Sequence, residues 1–246
     1  MLAARITSFQ YADSAHPVLR NCHLEVRSGS ITCLLGLSGS GKTTLLKVLL
    51  GLAEGRLDGT VVYHIRGEEC RPNAARWEGV IGVMSHGSPM IPWLNIKHNL
   101  YLPAALNGRL RMPTMRDVED ILDRLNLSSR ILTTYPHMLS AGMAQRCAVA
   151  RCLLYDPTFL LIDELFSGLD SVNSDDLANV LGHYVQNHTV ACLVVTHNIY
   201  RASRISTRCY YLLQSGHLRD MGPEPTEDCL RVVMREDCET QRKRIA

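Results

Sequence analysis

One short run carries most of the chemistry in this sequence: Gly36-Leu37-Ser38-Gly39-Ser40-Gly41-Lys42-Thr43, followed by Thr44. Glycines at such intervals let a backbone curl until successive N–H groups converge on one point, which is how a loop cradles phosphate oxygens. A lysine and a hydroxyl residue directly after the last glycine add a cation for the β and γ oxygens and an oxygen ligand for a divalent ion. The ligand class that fits is a nucleoside triphosphate with Mg²⁺. A glycine-rich turn without chemistry would use the same glycines, so the neighbouring elements decide between the two. Residues 31–36 form an apolar run typical of a buried strand, and residues 42–52 place Leu45, Leu46, Leu49 and Leu50 on one helical face. The loop therefore opens a helix, whose N-terminal dipole favours an anion.

A second constellation is acidic. Phe159-Leu160-Leu161-Ile162-Asp163-Glu164 is an apolar strand ending in two carboxylates. Beside a phosphate loop, Asp163 would hold the metal through water with Thr43, and Glu164 would polarise an attacking water as general base. Standing alone, the same pair reads as a helix cap or a solvated turn. His197 follows another apolar run, residues 189–196, and a lone histidine at a strand end is more often structural.

What narrows the reading is Leu139-Ser140-Ala141-Gly142-Met143-Ala144-Gln145-Arg146. This segment resembles the Leu-Ser-Gly-Gly-Gln signature of ABC ATPases and stands just upstream of the acidic strand, as in that family. The resemblance, which spans about residues 4–220, implies that Ser140 and Gly142 bind the γ-phosphate of an ATP held by a second subunit. Serine is also a good helix N-cap, and a helix start attracts anions. The same resemblance makes Tyr11 the aromatic residue that stacks on adenine, with Val18 beneath the nucleotide; a core role for either stays open. It makes Ser167-Gly168-Leu169-Asp170 the D-loop at a dimer interface and His197 the switch histidine at the γ-phosphate.

Met90-Ile91-Pro92-Trp93-Leu94-Asn95-Ile96-Lys97-His98-Asn99 is most similar to the Leu-Pro-Trp-Leu-Thr-Val segment of nitrate-, taurine- and sulfonate-type import ATPases, where the loop and the helices behind it dock a membrane subunit. Aligned on Pro92 and Trp93, His86 stands where the family has a glutamine whose amide oxygen approaches Mg²⁺ and the attacking water. An imidazole can accept a hydrogen bond or ligate a metal, but with one acceptor nitrogen and a different reach. Ala141 replaces the first signature glycine, Leu165 the proline after the glutamate, and Asn198 the aspartate after the switch histidine. The resemblance thus implies an ATPase with catalytic groups Lys42, His86, Glu164 and His197, and a metal held by Thr43, Asp163 and His86. The implied partners are a second nucleotide-binding subunit, membrane permease subunits and a solute-binding protein, at the cytoplasmic face of a membrane. A soluble ABC ATPase of an assembly or repair complex, or a weakly hydrolysing nucleotide-binding partner, are the alternatives.

Behind these residues the chain must supply a scaffold. At 246 residues, 46% apolar and 20% charged, it has the balance of a globular protein with a real core. A net charge of +2, with no charged run beyond Arg242-Lys243-Arg244, speaks against a broad nucleic-acid face. No apolar run approaches the roughly 18 residues of a spanning helix, and the N-terminus lacks a signal-peptide pattern. The nine cysteines include no Cys-x-x-Cys pair and read as buried or incidental thiols. Strand patterns at 4–11, 22–26, 31–36, 59–65 and 80–84 precede helical patterns at 96–106, 115–125 and 140–154. Strands return at 159–163, 189–196 and 209–214, separated by helices at 174–186 and 198–206. The expected fold is α/β, a P-loop NTPase of ABC type: a mixed β-sheet core with an antiparallel β subdomain at its N-terminus. Its parts would be a core of residues 1–87 and 156–220, an α-helical subdomain inserted at 88–155, and a short charged tail at 221–246 without a core of its own.

Overall fold

The computed structural model describes residues 1–77, 80–85, 90–108, 110–166 and 171–245. Two sheets stack face to face. The first is antiparallel, in the order β2 (Leu19–Val26), β1 (Leu2–Tyr11), β4 (Gly55–Ile65), β5 (Glu68–Cys70). Its inner face follows period-2 alternation: Leu2, Ala4 and Ile6 of β1 are buried, and a register shift between Ile6 and Ser8 brings Phe9 back to the same side. Opposite that bulge lies Gly59 at φ +136°, where a Cβ would fall 2.2 Å from the Arg5 carbonyl. Only glycine fits there.

The second sheet runs β10 (Leu218–Pro223), β9 (Arg208–Leu212), β3 (Ser30–Leu35), β8 (Ala191–Val195), β7 (Phe159–Asp163), β6 (Ile81–Met84). All of its neighbours pair in parallel except the β9–β10 hairpin. Strands β3, β7 and β8 are apolar without alternation because both of their faces are covered. Leu34, Leu161, Leu193 and Val195 turn toward the antiparallel sheet and toward α1 (Lys42–Leu49). Cys33, Leu160, Ile162, Cys192 and Val194 turn the other way, toward α5 (Ala141–Leu153), α6 (Ser171–Asn187) and α7 (Ile199–Ile205).

Between β6 and β7 the described chain is helical: α3 (Ile96–Leu106), α4 (Met115–Arg124), single 3₁₀ turns at Ser129–Thr133 and Pro136–Met138, then α5. A capping box of Thr114 and Asp117 starts α4, and the bonds donated by Thr114 and Arg111 hold the Asp117 carboxyl below its usual range. Asn99 of α3 is fully buried: its Oδ1 accepts the Ile91 N–H at 2.7 Å, and its Nδ2 donates to the carbonyls of Ile91, Leu94 and Asn95. One side chain thereby closes the turn that holds Trp93 three-quarters exposed, at 75%.

Residues 221–246 are more than a charged tail. They complete β10 and form α8 (Glu227–Ile245), which buries Leu230, Val233 and Asp237 against the body of the protein. The sequence conceals this because only a narrow stripe, spaced three and four residues apart, faces inward, while the rest of the helix is charged. The short helix α2 (Pro72–Trp77) and strand β5 were likewise not legible.

Candidate active site

The C-terminal ends of β3 and β7 open onto one cleft of about 560 Å³, the position in a parallel sheet where ligands bind. The loop after β3 contributes Ser38, Gly39 and Gly41, helix α1 contributes Lys42, Thr43 and Thr44, and Val18 closes one wall. Asp163 and Glu164 close the other. Gly36 has φ +155°, and a Cβ there would meet the Leu212 carbonyl at 2.5 Å, so the loop turns tightly against the end of β9. Gly41, at φ +102°, is the N-cap of α1 and offers no side-chain cap. The N–H groups of the first turn are therefore left for a ligand.

Side chains complete the cradle. Lys42 Nζ donates to the carbonyls of Gly36 (2.8 Å) and Leu37 (2.9 Å), folded back along the loop it would leave to meet phosphate. Burial lowers its pKa, and the charges of Glu164 and Asp163 pull it back up. Thr43 Oγ1 lies 3.5 Å from Asp163 Oδ2, so a hydroxyl and a carboxylate oxygen stand side by side, the hard donors that Mg²⁺ prefers. Ser40 is buried, and its hydroxyl has no hydrogen-bond partner among the described residues.

Parallel pairing of β7 with β8 sets Asp163 beside Val195, and this register brings the next residues of each strand together. The Glu164 N–H donates to the Val195 carbonyl at 2.9 Å, and His197 Nδ1 donates to Glu164 Oε1 at 2.9 Å. Glu164 has φ +59°. A non-glycine residue in that region costs on the order of 1–3 kcal/mol, which marks a place where position matters more than stability. Asn198, standing where the family has aspartate, N-caps α7 by accepting the Arg201 N–H at 3.0 Å.

The profile of the family described as ABC transporter matches residues 19–167, more than half of the chain. The chain belongs to the ABC transporter family. It is 30% identical over 201 residues to the ergothioneine transport ATP-binding protein EgtV of Helicobacter pylori, a match covering 82% of this chain and 92% of that one. It is 34% identical over 212 residues to the aliphatic sulfonates import ATP-binding protein SsuB 2 of Burkholderia cenocepacia, covering 86% and 73%. Among solved structures, the ATP-binding cassette MJ0796, captured as a dimer in a post-hydrolysis state with ADP and Pi, superposes with a TM-score of 0.77 at 25% identity, over 92% of this chain and all of that one. This ABC protein is thus the ATP-binding, ATP-hydrolysing subunit that energises a transporter. No helix among its described residues is long and apolar enough to cross a membrane.

Two expected site residues of this ABC ATPase, Ser140 and Gly142, lie away from the cleft. Ser140 sits exposed at the start of α5, accepting the Met143 N–H at 3.3 Å, with Gly142 in the first turn. Neither lines the cleft. Tyr11 packs its ring edge-on against Phe9 at 5.0 Å and donates from its hydroxyl to Thr44 Oγ1 at 3.1 Å. His86 and Ser167-Gly168-Leu169-Asp170 lie outside the described residues. Two glutamines joining distant segments were not recognised as part of the site from the sequence. Gln145 Nε2 donates to the Leu165 carbonyl at 2.6 Å, tying the signature helix to the residue after Glu164, and Gln214 Nε2 donates to the Ser38 carbonyl at 2.8 Å. Gln145 stands inside the signature motif, whereas no local pattern marks Gln214.

Proposed function

We propose that this subunit works as one half of a homodimer in which each ATP lies between the loop Gly36–Thr43 of one chain and Ser140 and Gly142 of the other. Lys42 and the loop N–H groups bind the phosphates. Thr43 and Asp163 hold Mg²⁺, which neutralises phosphate charge when bound. Glu164 takes the proton of the attacking water, and His197 orients Glu164 and meets the γ-phosphate. Tyr11 and Val18 receive the base. The observation that carries this reading is the division of the site: the loop and the acids line one cleft, with His197 bonded to Glu164 at its edge, while Ser140 stands exposed and Gly142 half-buried elsewhere on the chain.

Mixing two dead variants tests the division. Lys42→Ala spoils the loop and Ser140→Arg spoils the signature, yet their heterodimer keeps one site with both parts intact. Random pairing makes half of the dimers mixed, with one good site each, so about a quarter of parental phosphate release should return on mixing. No recovery would rule out a shared site.

The complex served is an importer, with permease subunits docked on the helical subdomain and a solute-binding protein delivering cargo, and this chain sits at the cytoplasmic membrane face. Supporting it are the sulfonate-import relative and the exposed apolar side chains Trp93, Leu106 and Met138 on that subdomain. Such side chains would supply the apolar contact that a docked permease buries. His86 takes the glutamine position beside the metal. Since imidazole titrates near neutrality and an amide does not, hydrolysis should be more pH-dependent with His86 than in His86→Gln. Superimposable rate profiles between about pH 6 and 8 would remove His86 from the site.

A further inference from the structure

Helix α8 hides a carboxylate. Asp237 is 6% exposed, with Oδ1 and Oδ2 accepting the backbone N–H of Gln214 at 3.2 and 3.3 Å and Oδ2 accepting the Tyr211 hydroxyl at 3.4 Å. Burying a carboxylate is unfavourable unless it is hydrogen-bonded, and here its bonds go to Tyr211 of β9 and to Gln214 in the turn that follows. From that turn the Gln214 side chain reaches the Ser38 carbonyl. A continuous chain of hydrogen bonds thus runs from the C-terminal helix to the phosphate loop.

We propose that Gln214 and Asp237 are positioning residues for ATP: Asp237 fixes the Gln214 backbone, and Gln214 holds the Ser38 carbonyl away from the cleft so that the Gly39 N–H faces the phosphates. The peptide plane gives the mechanism. In a trans peptide the carbonyl of one residue and the N–H of the next point in opposite directions. Anchoring the Ser38 oxygen on Gln214, which does not line the cleft, aims the Gly39 N–H the other way, and Gly39 does line it. Packing around Gly39 does not fix that plane among the described residues: Gly39 has φ +81°, and no atom lies within 4 Å of where its Cβ would be. Freed from Gln214, the unit can turn its carbonyl toward the phosphates, replacing an attraction with a repulsion. Helix α8 is therefore part of the nucleotide site although none of its described residues lines the cleft.

The inference rests on residues 36–43 being the phosphate loop, so every titration includes the parent chain; failure of the parent to bind would sink that assignment, not the relay. Full-length chains carrying Gln214→Ala, Asp237→Ala, Asp237→Asn and the alanine pair together are titrated with a fluorescent ATP analogue well below their unfolding temperatures, and the KM for ATP is measured alongside. Gln214→Ala and Asp237→Ala should each raise Kd about fivefold, the size of one lost neutral hydrogen bond, with KM rising in step. The double variant should be no weaker than the weaker single, because both act through one bond to Ser38. Asp237→Asn keeps an oxygen for the Gln214 N–H and should stay within about twofold of the parent. A folded Gln214→Ala with unchanged Kd overturns the proposal, and so do losses that multiply in the double variant. Should Asp237→Ala fail to fold, Gln214→Ala and Asp237→Asn decide alone, and an asparagine variant weaker than Gln214→Ala overturns the role of Asp237.

Discussion

Glu164→Gln should lower the steady-state rate of ATP hydrolysis by about a hundred- to ten-thousandfold, the range set by removing a positioned general base, while Kd for ATP moves by less than about threefold. The expectation is this sharp because the substitution changes so little else. Glutamine keeps an oxygen that can accept from His197 Nδ1, now 2.9 Å from Glu164 Oε1, and leaves the backbone bond to the Val195 carbonyl in place. What disappears is a carboxylate able to take a proton from water. The amide also removes one of two negative charges beside Lys42, which should help rather than hinder phosphate binding. Phosphate release and nucleotide titration on the same preparation separate the two effects. A rate within tenfold of the parent would show that another group takes the proton.

Lys42→Ala should act on the other half of that pair of measurements, weakening ATP binding by about a hundredfold. Each hydrogen bond from an ammonium to a phosphate oxygen contributes roughly 1.5–3 kcal/mol, and a lysine at this place reaches two of them. Part of that gain is offset, since the ammonium first gives up its bonds to the Gly36 and Leu37 carbonyls, so the net stays near the lower end. Without the lysine, Asp163 and Glu164 also face the phosphates with less compensating charge. Equilibrium titration with ATP is the measurement, and a Kd within about fivefold of the parent would mean that the loop N–H groups hold the phosphates on their own. The two lost bonds to loop carbonyls are charge-assisted as well and lower stability by up to about 3–6 kcal/mol, so the titration is made well below the variant's unfolding temperature.

Both effects trace to motifs legible without any structure. The strand, glycine loop and helix over residues 31–52, the carboxylates after the apolar run at 159–162 and the histidine after 189–196 each have a local pattern, because the chemistry needs fixed residue types at fixed spacings on one strand end or one helix start. Most of the sheet was legible for a related reason: strands covered on both faces are continuously apolar and stand out. Glycine also carried information, as at Gly36, where no other residue fits against Leu212.

Distance along the chain is what hid the rest. Helix α8 shows only a narrow apolar stripe in a charged sequence, although its Leu230 is fully buried. Tyr11, expected at the base, donates its hydroxyl to Thr44 Oγ1. The contact between Glu164 and His197 depends on the parallel register of β7 and β8, and the bond from Gln214 to Ser38 joins positions 176 residues apart. Sequence alone therefore determined which groups are the candidates to bind and react, since motif chemistry is local. Tertiary structure alone decided which of them share a cleft, which face solvent, and which distant side chains aim the phosphate loop, since hydrogen bonds between remote segments leave no spacing to read.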